Sequence, residues 1–371
     1  MPEGAENTEG EHDEGDRADE EQPGRLARAM AQGITRAGAG EGLMREILSL
    51  PRPHPDAWVA GASGGLFACA TMLAEPNDDR ANRPPCAAPT STDGAEMPEL
   101  TASVDALQRR GVAWSIRAAP IDAPAEPIFV RDEDRVLPTA SAAKILVLMA
   151  AASAMESGEL GPDDTLSRST VTPVADSGIW QFLDVDALPA SGVAHLVGAA
   201  SDNWATNVLI ARLGGVERVQ GMAADLTIPG VALHDIVRDV RAPAHPATLS
   251  SGSARGYADL LVRLWTDTDL DPAVAARVRG WLRDGLDLSM VGSAFGLDPL
   301  AHHDLDRGYA LANKTGTDRG TRVDVGVVTG PARTLVYAAI ARWDEEADPA
   351  LRDDILAAMR LFGHTLRAHV D

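Results

Sequence analysis

The runs TRVDVGVVTG (321–330) and TLVYAAIARW (334–343) carry the strongest strand pattern in this chain, rich in β-branched residues. Two strands alone do not hold together in water. The other strand candidates, GVAWSIRAA (111–119) and EPIFVRD (126–132), lie far earlier. From about 138 to 290 the pattern is mostly helical, and ELTASVDALQRR (99–110) and PALRDDILAAMRLFGHTLRAHV (349–370) also read as helices. The economical solution is an α+β fold. An antiparallel sheet is built from both chain ends with flanking helices, an all-α lobe is inserted between them, and one cleft separates the two. This compact domain is expected over 99–371.

Residues 1–98 are expected to be an acidic, low-order extension and linker. The first 24 hold ten acids against Arg17, −9 of the chain's −22, with almost no apolar content. RLARAMAQGITRAGAGEGLMREILSL (25–50) is a weakly amphipathic helix candidate. AWVAGASGGLFACATMLA (57–74) is uncharged but Gly- and Ala-rich and only mildly hydrophobic, so no stable membrane span is expected. It would serve as an export signal only if translation began at Met44; otherwise a cytoplasmic location is expected. Residues 76–98 are Pro-, Asn- and Asp-rich and read as a linker.

The net charge of −22 argues against nucleic acid and anionic membrane as general partners. Cys69 and Cys86 are the only cysteines, so the rest of the chain depends on neither a disulfide framework nor a zinc–thiolate site.

The chemistry gathers in three short motifs. In Ser141-Ala142-Ala143-Lys144, positions i and i+3 share a helix face about one turn apart. Pro138 and Thr139 suit a helix entry, which puts Ser141 near the first turn. A serine hydroxyl needs a base to take its proton. A lysine becomes one when burial and neighbouring cations lower its pKa, and ILVLMAAASAM (145–155) supplies burial. Ser201-Asp202-Asn203 is the second motif, and Lys314-Thr315-Gly316, at the start of a strand, is the third. Taken singly, each also reads as ordinary structure: a cap with a snorkelling lysine, an N-cap cluster, a turn entering a strand.

S-x-x-K, S-D-N and K-T-G in this order resemble the motif set of class A β-lactamases and penicillin-binding proteins. The 60 residues from Ser141 to Ser201, the segment LIARLGG and the run NKTGTDRGTRVDVGVV fit the class A-like branch, over about residues 100–370. The resemblance implies a serine hydrolase acting on a small amide or ester, β-lactam or peptide-like, without a cofactor or metal. Ser141 would be the acylated nucleophile. Lys144 would be its base, alone or through Ser201, and Ser201 would relay a proton to the leaving nitrogen. Asn203 would hold the substrate amide, and Lys314, Thr315, Gly316 and Arg322 the carboxylate end. The N–H groups of Ser141 and Thr317 would form the oxyanion hole. Asp202 would be structural.

The pattern breaks at one place. Class A enzymes carry a glutamate after S-D-N that activates the deacylating water. Between Ser201 and Lys314 the only glutamate is Glu217, in a helical segment, and by spacing the expected position falls near Val237. Asp235 or Asp239 are the available substitutes, though Arg238 and Arg241 are placed to hold them as loop braces. The expectation is a slowly deacylating hydrolase. A D-Ala-D-Ala peptidase or transpeptidase and a non-catalytic β-lactam or peptidoglycan-fragment sensor are the alternatives. Trp180 stands as a candidate cleft wall or a core residue. His302 and His303, followed by Asp304 and Asp306, read as an exposed loop rather than a metal site.

Overall fold

Both ends of the described chain feed one five-stranded antiparallel sheet. The computed structural model describes residues 93–225 and 229–371. The acidic run, the 25–50 and 57–74 segments, both cysteines and most of the 76–98 linker lie outside the described residues.

In chain order the elements are α1 (Asp93–Arg109), β1 (Ala113–Pro120), β2 (Phe129–Arg131), β3 (Leu137–Pro138), α2 (Lys144–Glu156), β4 (Thr165–Ser167), β5 (Ala187–Pro189), α3 (Ala190–Ala199) and α4 (Asn203–Arg212). They continue with α5 (Val216–Asp225), β6 (Val231–Leu233), β7 (Ser250–Gly252), α6 (Ala254–Thr266), α7 (Pro272–Arg283), β8 (Ala310–Asp318), β9 (Thr321–Thr329), β10 (Thr334–Arg342) and α8 (Leu351–Val370). The sheet runs β2-β1-β10-β9-β8, which leaves β8 on an edge.

Strand periodicity sorts the sheet's two faces. On β10, Leu335, Tyr337, Ala339 and Ala341 pack into a core shared with α1 and α8. Val336, Ala338 and Ile340 point the other way, joining Val323, Val325 and Val327 of β9 in the core of the helical lobe. At the centre of that lobe is α2, 11 of whose 13 residues are buried. A helix apolar all round has to be enclosed on every side, and α3, α4, α5 and α7 surround it. Its far end is closed by Gly158 at φ +77°, beyond which the Leu160 N–H reaches back to Ala154 O (2.9 Å).

Two features go beyond the sequence pattern. Helix α1 begins at Asp93, inside the stretch read as linker. Short ladders β3-β7-β6 and β4-β5 lie within the helical block. At two or three residues each, they are too short to show a period.

Candidate active site

The chain reaches Ser141 through a strained turn. β3 pairs with β7, Pro138 opposite Ser251, and Thr139 then leads into a 3-10 turn, Ala140–Ala143, that continues as α2. Ala140 has φ +46°, a left-handed conformation that costs a non-glycine residue about 1 kcal/mol. A buried chain of hydroxyls holds it there. Tyr257 OH donates to Thr139 Oγ1 (2.9 Å), Thr139 Oγ1 and Ser250 Oγ are 2.8 Å apart, and Ser250 Oγ donates to Ala140 O (2.7 Å). Thr139 therefore does not cap the helix. Its side chain braces the turn instead. From the other side β8 presses in at Gly316, where a Cβ would lie 2.3 Å from Thr139 O. Only glycine permits that approach.

Lys144, the first residue of α2, is fully buried. Its Nζ donates to Ser201 O (2.6 Å) and Asn203 Oδ1 (2.8 Å) and lies 3.4 Å from Ser201 Oγ. Burial, and then the charge of Lys314, push its pKa well below the ordinary lysine range; Asp202 and Asp176 oppose this. A neutral amine can still donate to the two strong acceptors and turn its lone pair toward a hydroxyl.

Asp202 caps α4 through Ala205 N–H (2.9 Å) and also accepts the N–H groups of Ile179 and Trp180 (2.8 Å each). Asn203 extends the connection, donating Nδ2 to Ala175 O (2.8 Å) and N–H to Ser177 O (3.0 Å). Trp180, a candidate cleft wall from sequence, is a core residue: it is fully buried and its indole N–H goes to Val185 O (3.0 Å). Capture of its backbone by Asp202 turns the ring inward, and Ile179 lines the cleft instead.

On β8, Lys314 is buried and burial pulls its pKa down to about 8, against the pull of Asp287 and Asp324. Asp324 is sealed beneath it, bonded by Asn313 Nδ2 (3.0 Å), Tyr337 OH (3.0 Å) and Val291 N–H (2.9 Å). Burial outweighs those bonds and lifts its carboxyl to about 7. Thr315 and Thr317 line the cleft with Lys314. Arg322, expected at the carboxylate end, does not line it. Its guanidinium lies over Trp343 (5.7 Å) and Nη1 donates to the carbonyls of Asp318 (3.0 Å) and Thr321 (2.8 Å).

The two aspartates proposed for water activation part company. Asp235 is buried away from the cleft. It accepts Arg238 Nε (2.8 Å), Arg241 Nη1 (2.6 Å) and Ile236 N–H (2.8 Å). Burial works against its charge, but the two guanidiniums prevail and hold it below the usual carboxylate range. Asp239 does line the cleft, with one oxygen taken by Ala175 N–H (3.0 Å). Between them Val237 is pinned at both backbone groups by Asn207 (2.8 and 2.9 Å).

Ser141, Ser201, Asn203, Lys314, Thr315, Thr317 and Asp239 thus meet around a cleft of about 890 Å³. Lys144 and Gly316 lie just behind its surface. Asp176 also lines it, in a left-handed conformation at φ +70°. Sequence reasoning missed this residue, whose only signal was the turn-prone ADSG context. Among the described residues no three His, Cys, Asp or Glu side chains gather to hold a metal ion. His302, expected in an exposed loop, is buried, and its Nδ1 meets Asp298 O (2.8 Å); His303 is exposed and meets Asp284.

A model of the beta-lactamase enzyme family matches residues 99–359. Among solved structures, the chain is similar to the beta-lactamase from Sphaerobacter thermophilus DSM 20745 (25% identity, 70% of this chain and 95% of that chain, TM-score 0.57). It shares its fold with a mutant of PBP-A in an acyl-enzyme complex with penicillin-G (21%, 73% and 97%, TM-score 0.59). The same holds for a class A beta-lactamase from Mycobacterium abscessus (20%, 74% and 99%, TM-score 0.59). No curated protein matches the chain in sequence.

Proposed function

The chain belongs to the beta-lactamase enzyme family, and from that footing we propose that it is a serine hydrolase that acylates at Ser141 and releases the acyl group slowly. The observation that carries this reading is Lys144 Nζ, buried one turn from Ser141 and held against Ser201 and Asn203.

The steps follow from these positions. Neutral Lys144 takes the Ser141 Oγ proton, directly or through Ser201, while Oγ bonds to the substrate carbonyl carbon. The N–H groups of Ser141 and Thr317 stabilise the oxyanion. The C–N bond then breaks, and its nitrogen receives a proton relayed by Ser201. Asn203 holds the acyl-side amide, and Lys314 and Thr315 hold the carboxylate. Arg322 is not counted among these, because it does not line the cleft and its Nη1 is engaged at the β8–β9 hairpin. Hydrolysis of the ester then needs an activated water. The loop offers the Val237 backbone where a glutamate is expected, and Asp239 as its cleft-lining carboxylate.

A β-lactam is the favoured substrate class. The same acylation chemistry would serve a D-Ala-D-Ala peptidase, and the edge position of β8 suits an extended peptide. Intact mass after exposure to a fluorescent penicillin, alongside nitrocefin turnover, tests the reading. A persistent adduct at Ser141 is expected. Fast turnover of both compounds would overturn slow release, and neither adduct nor turnover would overturn acylation itself.

A further inference from the structure

Asp176 is displayed in the cleft by an arrangement to which the steps above give no part in holding substrate. Its neighbours are tied down on both sides. Ala175 gives its N–H to Asp239 and its carbonyl to Asn203, Ser177 O takes the Asn203 N–H, and Ile179 and Trp180 are held by Asp202. The residue between these anchors is exposed and left-handed. Among the described residues none donates a hydrogen bond to its carboxylate.

The other charged groups around the cleft are more committed. Arg238 and Arg241 share Asp235. Asp239 has given one oxygen to Ala175. Asp287 acts on Lys314, and Asp318 accompanies it on β8. Lys314 marks the end that takes a carboxylate. Asp176 is bracketed by the two residues bonded to Asn203, the group assigned to the acyl-side amide.

We propose that Asp176 reads a cation on the acyl side of the substrate, so that the preferred substrate is zwitterionic, with an ammonium toward Asp176 and a carboxylate toward Lys314. This rests on the acyl-enzyme reading and names the substrate class of that same site. Ampicillin and benzylpenicillin differ by one ammonium on the acyl side chain and are suitable probes.

The quantity to read is the ratio of their second-order rates of adduct formation on the full chain, by intact mass at low salt. The ratio is expected to favour ampicillin by about twofold to fivefold, the range of a partly exposed ion pair, and to shrink as salt rises. Asp176→Asn should bring it close to one. Asparagine tolerates the left-handed conformation as well as aspartate does, so the change isolates charge from backbone. Asp176→Glu should restore part of the preference. A residue that merely tuned Lys144 or braced the loop would change the rates of both penicillins alike and leave the ratio unmoved. That result, or no preference in the parent protein, overturns the proposal. If neither penicillin forms an adduct, the acyl-enzyme reading fails and this inference goes with it.

Discussion

Two stretches of the cleft are held in place by different physics. Ser141, Lys144, Ser201 and Asn203 sit where helix ends, a buried hydroxyl chain and a backbone contact at Gly316 meet, and Lys144 has no exposed surface. The stretch from Leu233 to Ser250 is mostly exposed or half-exposed, braced by Asp235 with its two arginines and by Asn207. The first kind of order fixes atoms for attack and shifts a pKa by excluding water. The second keeps a loop in place and leaves Asp239, with one oxygen already taken by Ala175 N–H, as its cleft-lining carboxylate. On the proposed reading, the dry lysine serves acylation and the wet, charge-braced loop is what slows release.

The largest effect tests the dry side. Ser141→Ala should abolish the penicillin adduct altogether by intact mass. Lys144→Ala should keep the nucleophile but slow acylation by about 10²–10⁴-fold, the usual worth of a positioned base. Its stopped-flow rate decides whether that lysine is the base. The loop is sharpened by a gain. Val237→Glu puts a carboxylate where the sequence spacing expects one, and adduct lifetime should fall at least about tenfold. An unchanged lifetime would show that the loop's backbone position, not its missing carboxylate, limits release. Gly316→Ala should destabilise by about 1–3 kcal/mol in thermal melts and slow acylation, because the new methyl meets Thr139 O.

The smallest effect is in pH. Lys314 must be charged to hold a carboxylate, and its pKa is about 8. Acylation by an anionic penicillin should therefore decline by no more than about tenfold between pH 7 and 9. Stability should move the other way. The folded value lies below that of a free lysine, so the unfolded chain binds more protons between about 8 and 10.5, and stability rises across that window.

The sheet from both chain ends, the enclosed helix α2 and the motif triad were legible because each leaves a periodic or spaced signal. Much of the rest depends on which backbone group captures a side chain, and sequence does not record that. Thr139 looks like a cap, yet Ser250 and Tyr257, more than a hundred residues away, claim its hydroxyl. Trp180 could face either way until Asp202 takes its amide. Arg322 follows the family's spacing, but the carbonyls of Asp318 and Thr321 outcompete the cleft for it. Asp235 and Asp239 are indistinguishable by type and spacing, and only tertiary pairing separates a brace from a cleft-lining acid.

Asp202 joins three amides from two segments: one on α4 and two on the loop that carries Asp176. Gly178 leaves no slack, since a Cβ there would lie 2.3 Å from the same carboxylate. For anyone grafting a new specificity loop onto this scaffold, the seam cannot be cut between residues 175 and 180. The transplantable cassette has to begin before Ala175, or end in a donor pair that meets Asp202 at the same two points. The rim and the Ser201-Asp202-Asn203 motif will be inherited, exchanged and redesigned as one piece.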